Sequence, residues 1–329
     1  MRLALSALII VLTSLVTSPA SAPQTLPKTP VAELIPVGPI SCKPAGTTCP
    51  NFDAVVFVHG IYGSDETFVN SQTGFDWPKE FPRVLQVDDE QRRVDVYRLN
   101  YLTTKLTWAR DKNPTFLELT RSVETAMKSL RKRQYRSIGF IVHSLGGNVV
   151  STYLTQVKLA RDHAALSQHA YLITLATPVL GSQVADLMET LKSRLGMTDD
   201  LLNSLERNNI YLQMLNEMKE WQAGKATRLG CRPVNLHVGV ESKYVGPILI
   251  VGKDSAALPV ISLASSPIVG FQLNHLQISK PADAKSEVYI WAMTRVEDEM
   301  RRLTNWEFTH DKAPKEHKLC ARVAFEPES

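Results

Sequence analysis

Apolar and polar positions follow two rhythms along this chain. "AVVFV" (54–58), "IGFIV" (138–142) and "AYLITLA" (170–176) are nearly unbroken runs rich in β-branched and aromatic residues, and "VDVYRLNY" (94–101) and "NLHVGV" (235–240) are close to them. Runs of this length predict strands buried on both faces. "PIVGFQL" (267–273) predicts one more. Between them the rhythm lengthens. Phe116, Leu119, Val123, Met127 and Leu130 recur at helical spacing across 115–131. "NVVSTYLTQVKLA" after Gly147 and "SEVYIWAMTRVEDEMRRL" (286–303) predict two further helices. Strands alternating with helices predict an α/β fold, a mostly parallel sheet covered on both faces.

Three segments break the alternation. Residues 182–230 are too many for a plain crossover and carry Leu187, Met188, Leu191, Met214, Leu215 and Met218 at helical spacing. They predict a helical insertion, either covering the core or forming a cap over an apolar substrate pocket. Residues 23–50 are proline-rich without periodicity and read as an N-terminal extension, and 306–329 read as a tail after a main domain spanning 51–305. At the start, Arg2, the apolar run Leu3–Val16 and "TSPASA" follow the order of a secretory signal peptide over 1–22. Cleavage fits after Ala20 or Ala22, with Pro23 favouring the earlier cut. The run is shorter than the roughly 20 residues of a spanning helix. The expected location is therefore secreted or periplasmic.

Composition changes this picture little, except at the cysteines. With 44% hydrophobic and 21% charged residues among 329, the chain has a globular composition, and a formal charge of +4 is too mild to imply a nucleic-acid partner. In an exported chain, four cysteines imply disulfides. Cys42 and Cys49 are close together in "SCKPAGTTCP", which leaves Cys231 to Cys320. Three pairings are possible, and locality favours this one. No C-x-x-C or histidine pair accompanies them to suggest zinc.

The candidate chemistry lies in "FIVHSLGGNVV" (140–150). A serine nucleophile on a strand-to-helix turn usually sits in G-x-S-x-G. Here Ser144 and Gly146 fit, while Val142 takes the first glycine position. A serine hydroxyl needs a base. His143 flanks the serine but points away from it; His237 alternates inside a strand; His163, His169, His310 and His317 read as surface residues. His59 follows the first core strand in "HGIYGS". His275 directly follows the last strand, at the C-terminal end where open α/β sheets place their chemistry. An acid must orient that imidazole. Glu241, after the fifth strand, gives the order Ser, acid, His, and Asp254 in "LIVGKDSA" is the alternative. Oxyanion donors are expected from the amides of Leu145 and Ile61, with Tyr62 as the alternative to Ile61.

"FVHGIYGS", "HSLGG" and "LITLATPVLGS" (172–182) resemble the lipases and serine esterases of the α/β-hydrolase fold, which include the GPI inositol-deacylase-like enzymes. "VESKYVGPILIVGKDSAALP" followed by "LNHLQISKP" is similar to the serine-active-site-containing, lipase-like proteins of the phosphatidylglycerol-remodelling type, as are "DWPKEF" (76–81) and "WARDKNP" (108–114). The resemblance runs from about Asp53 to Arg302. It implies Ser144 as nucleophile, His275 as base and an acid at Glu241 or Asp254. It also implies a serine esterase or lipase that needs no cofactor. The Leu- and Met-rich insertion favours a lipid or phospholipid acyl ester as partner, and the basic run "RKRQYR" (131–136) is either a peripheral contact with anionic lipid or a solvated helix end. A lipid transacylase and a catalytically silent binding protein of the same fold are the rival functions.

Overall fold

Burial explains which apolar runs became strands. The computed structural model describes residues 32–42, 49–60, 63–101, 116–159, 165, 168–178, 234–243 and 267–310. Its strands are β1 (Ala32–Pro36), β2 (Phe52–Val58), β3 (Val84–Val87), β4 (Glu90–Tyr101), β5 (Ser137–His143), β6 (His169–Leu175), β7 (Asn235–Glu241) and β8 (Val269–Phe271). They form one sheet in the order β1-β4-β2-β5-β6-β7-β8, with β3 paired to β4. From β4 across to β8 every pairing is parallel, and only β1 and β3 run antiparallel to β4. The central strands have no polar face because both faces are covered: every residue of β5 and β6 is buried. Packing favours β-branched side chains on such a surface.

The helices are α1 (Trp77–Glu80), α2 (Phe116–Arg131), α3 (Leu145–Leu159) and α4 (Glu287–His310). Leu119, Val123, Met127 and Leu130 form the buried stripe of α2, which packs against α3 and β1. On α4 the buried stripe is Val288, Ala292, Val296, Met300 and Leu303. The same helix is tied to the sheet through Glu299, which accepts from His237 Nε2 at 2.9 Å, Asn235 Nδ2 at 2.7 Å and Arg302 Nε at 2.7 Å. These donors hold the buried Glu299 carboxyl below the usual carboxylate range despite its burial.

Several boundaries depart from the sequence reading. The extension 23–50 contains β1, whose edge position lets it form from a short, half-polar segment. A hairpin through Asp88, at φ +54°, adds β3 and lengthens β4 at its charged start. Strand β8 keeps only three residues of the run 267–273. The first helix after Ser144 begins at Leu145, ahead of the glycines, and the closing helix runs on to His310. His169 is not a surface residue: it opens β6, is fully buried, stacks on Phe140 and lies 3.2 Å from Tyr153 Oη. Pairing beside β5 draws it inside, an effect its polar neighbours in sequence conceal. Cys42 and Cys49 form a disulfide, whose loop is anchored by Ser41 and Cys42 N–H donating to Asp95 and by Arg133 donating to the Cys42 carbonyl. Within the basic run 131–136, Arg133 is thus bound internally, and Tyr135 is buried with its hydroxyl donating to Asp95. Cys231, Cys320, Asp254, His163, His317, the signal segment 1–22 and the insertion 182–230 lie outside the described residues. Among the described residues no helix is long and apolar enough to cross a membrane.

The sheet order also decides where a site can form. After β2 the chain goes to β4 on one side and then crosses to β5 on the other, so the strand order reverses at β2. In open α/β sheets, sites form at such a reversal, at the C-terminal ends of the strands. His59, Ser144 and Glu241 follow or close β2, β5 and β7 at those ends, and His275 follows β8.

Candidate active site

Strand β5 ends at His143 and α3 begins at Leu145, so Ser144 alone makes the turn. It does so at φ +53°, a left-handed conformation that is strained for any residue with a Cβ. Its N–H donates to the Leu175 carbonyl at 2.9 Å, and its own carbonyl accepts from Gly147 N–H at 3.0 Å. The turn is tight enough to demand glycine beside it. A Cβ on Gly146 would lie 2.4 Å from the His59 carbonyl oxygen and 2.8 Å from that of Val58, both backbone atoms that cannot swing away. A Cβ on Gly60 would lie 2.7 Å from that of Ser144. Val142, by contrast, sits inside the ladder, paired with Val58 and Thr174 and fully buried. The close approach of helix to strand is therefore made at Gly146, and a side chain at position 142 is accommodated.

His275 Nε2 lies 3.0 Å from Ser144 Oγ, and its Nδ1 lies 2.9 Å from Glu241 Oε2. A carboxylate can only accept, so Nδ1 carries the proton and Nε2 presents its lone pair to the serine hydroxyl. All three residues are at most 5% exposed, and in such surroundings hydrogen bonds and charges act more strongly than in water. Glu241 is in place because it closes β7, paired with Phe271 of β8. His275 lies in the turn beyond β8, where Asn274 Oδ1 accepts the N–H groups of Leu276 at 3.1 Å and Gln277 at 3.0 Å. The structure thus brings Ser144, His275 and Glu241 together.

Of the expected oxyanion donors, Ile61 and Tyr62 lie outside the described residues. Leu145 takes the first position of α3, where a backbone N–H has no acceptor within its own helix and shares the helix's positive end. The turn opposite is braced by His59. Its Nδ1 lies 2.7 Å from the Gly60 carbonyl oxygen, its Nε2 lies 3.0 Å from Asn100 Oδ1 and 3.3 Å from Tyr101 N, and its ring stacks on Tyr101 at 4.3 Å. Tyr101 Oη in turn donates to the His59 carbonyl at 2.5 Å. Burial pushes the His59 pKa down and the Tyr101 pKa up, favouring the neutral form of each ring. Spacing alone could not reveal this brace, because it joins positions on two different strands.

His143, next to the serine in sequence, has a partner of its own in the loop that carries His275. Its Nε2 lies 2.7 Å from the His275 carbonyl oxygen. Burial, followed by the nearby His275, pushes the His143 imidazolium down to about 3. Among the described residues, no cluster of three or more His, Cys, Asp or Glu side chains could hold a metal ion.

Residues 51–213 match the sequence model of the family described as "Putative serine esterase (DUF676)". No curated protein matches the chain in sequence. Among solved structures, the mature lipase BlEst2 of Bacillus licheniformis is similar at 17% identity, covering 80% of this chain and 97% of its own, with a TM-score of 0.49. A structure reported for LipS and LipT, two metagenome-derived lipolytic enzymes, is similar at 12% identity, with 82% and 98% covered and a TM-score of 0.48. A lipase-esterase related protein from Clostridium acetobutylicum shares 11% identity over 82% and 99%, with a TM-score of 0.47. Ser144 and its flanking strand and helix lie within the segment 51–213 that is similar to this putative serine esterase family.

Proposed function

We propose that this chain is an exported serine hydrolase that cleaves carboxylic esters through an acyl-enzyme. The observation that carries the reading is the unbroken relay from Glu241 through His275 to a Ser144 held at φ +53° on the strand-to-helix turn. Ser144 Oγ attacks the ester carbonyl carbon as His275 Nε2 takes its proton, and Glu241 stabilises the imidazolium. The oxyanion so formed is met by the Leu145 N–H and by a donor from the turn after Gly60, Ile61 or Tyr62. Collapse breaks the carbon–oxygen bond to the alcohol, which leaves with the proton from His275. Water then repeats the sequence with His275 as base, releasing the acid and restoring Ser144.

The Leu- and Met-rich segment 182–230 supports an apolar acyl group, hence a lipid ester. Leu276, beside His275 and 58% exposed, fits the same preference. Export is supported by the apolar N-terminal run after Arg2 and by the Cys42–Cys49 disulfide, a bond that persists in oxidising compartments.

The test is fluorophosphonate labelling of the purified chain, followed by an ester series from acetyl to palmitoyl. Labelling that disappears in Ser144→Ala, with turnover rising toward longer chains, is the expected result. Labelling that persists in Ser144→Ala would overturn the nucleophile. Acyl transfer to an added lipid alcohol without release of free acid would replace hydrolysis by transacylation.

A further inference from the structure

His143 closes β5 one residue before Ser144 and is 6% exposed. Its ring faces the loop after β8, with its centroid 4.9 Å from that of His275 and the planes tilted by 48°. A carbonyl oxygen only accepts, so the single proton of the neutral ring sits on Nε2 and is donated to the His275 carbonyl at 2.7 Å. Nucleophile strand and histidine loop are consequently joined twice. One bond runs from Ser144 Oγ to His275 Nε2, the other from His143 Nε2 to the His275 backbone.

The loop has reason to need the second tie. Strand β8 is three residues long. Beyond it, Leu273 accepts the N–H groups of Ser242 and Lys243 at 3.2 and 3.1 Å, and Asn274 caps the following turn. Those bonds fasten the loop to the end of β7 and to itself. The bond from His143 fastens it to the strand that carries the serine.

The geometry points to His143 as a positioning residue: its Nε2–H holds the backbone of His275 where the imidazole meets Ser144 Oγ. This rests on the reading of Ser144, His275 and Glu241 as a catalytic triad. The role acts through His275 and belongs to the chemical step, because displacement of a reacting group by about 1 Å costs on the order of 100-fold in rate.

Three variants separate this role from plain packing. His143→Leu removes the donor, His143→Gln carries an N–H at similar reach, and His143→Asn falls short. On a soluble short-chain p-nitrophenyl ester, His143→Leu is expected to lose kcat by about 10- to 100-fold with KM unchanged, and its fluorophosphonate labelling slows in parallel. His143→Gln restores most of the lost kcat and His143→Asn does not. An unchanged kcat in folded His143→Leu, a loss confined to KM, or His143→Gln no better than His143→Leu overturns the proposal. Should His143→Leu not fold, equal kcat in the Gln and Asn variants overturns it. A wild-type chain that takes no Ser144-dependent label overturns the hydrolase reading itself; a labelled wild type with an unimpaired His143→Leu overturns only the role of His143.

Discussion

Ser144 is held where an ordinary side chain resists being held. A left-handed residue with a Cβ costs about 1–2 kcal/mol, and here the bond to Leu175 of β6 and the first turn of α3 enforce it. Ser144→Gly should therefore be more stable than Ser144→Ala by about 1 kcal/mol in urea denaturation, while both are inactive. The two positions flanking the serine should differ sharply. Gly146→Ala drives a Cβ into the His59 and Val58 carbonyls and is expected to cost about 1–3 kcal/mol and most of the activity. Val142→Gly removes a buried side chain from the ladder; it should lower stability by about 2–3 kcal/mol yet keep kcat, which paired melting and ester assays would show. The serine, the histidine and Glu241 were legible from sequence because each lies within two residues of the end of an apolar run. His143 and His59 were not legible as partners, because their contacts join elements distant in sequence.

At the scale of elements, what the hydrophobic pattern revealed depended on burial. Strands β2, β5, β6 and β7 are covered on both faces and wrote themselves as apolar runs. The edge strands β1 and β3 mix buried with exposed positions over five and four residues, too few for a period to declare itself. The start of β4 is charged for the same reason of position: Glu90 and Gln91 are exposed beside β3, while Arg92 is buried against Asp53, Glu90 and the end of α4. The loop closed by Cys42 and Cys49 follows β1 and is bound to Asp95 of β4. Its seven-residue separation makes a modest loop, so the double variant Cys42→Ser, Cys49→Ser should lose about 2–3 kcal/mol. The check is a melting comparison, with ester turnover retained at temperatures where the variant stays folded.

For the whole molecule, buried neutral histidines set the acid side of stability. His143 and His59 both titrate below the ordinary value of 6.5 in the folded chain, because burial disfavours their charged forms. Below pH 6.5 the unfolded chain binds protons that the folded one refuses, so stability is full above that pH and falls as acid is added. For His143 the window runs from 6.5 down to about 3. Each such group contributes a slope of about 1.4 kcal/mol per pH unit. Glu299, held low by His237, Asn235 and Arg302, adds a further loss below its ordinary value of 4.5. Urea midpoints should therefore decline between pH 7 and pH 5, more shallowly in His143→Gln; a flat profile would contradict the buried neutral pair.

The amino-acid sequence by itself determined the alternation of buried strands and amphipathic helices, hence the parallel α/β sheet, because apolar burial writes a local period into the chain. It also placed Ser144, Glu241 and His275 at strand ends, since the residue that leaves a buried strand is identifiable where the apolar run stops. Only the tertiary structure decided which of these residues meet: Glu241 on His275 Nδ1, Ser144 on Nε2, and His143 on the His275 backbone, across separations of 34, 131 and 132 residues. Strand order and register set those distances, and register is a property of paired strands that no single segment carries. The glycine that the turn cannot do without is likewise a matter of three dimensions. Gly146 is required by two carbonyls at the end of β2, whereas Val142 is paired in the ladder with Val58 and Thr174 and its side chain is buried.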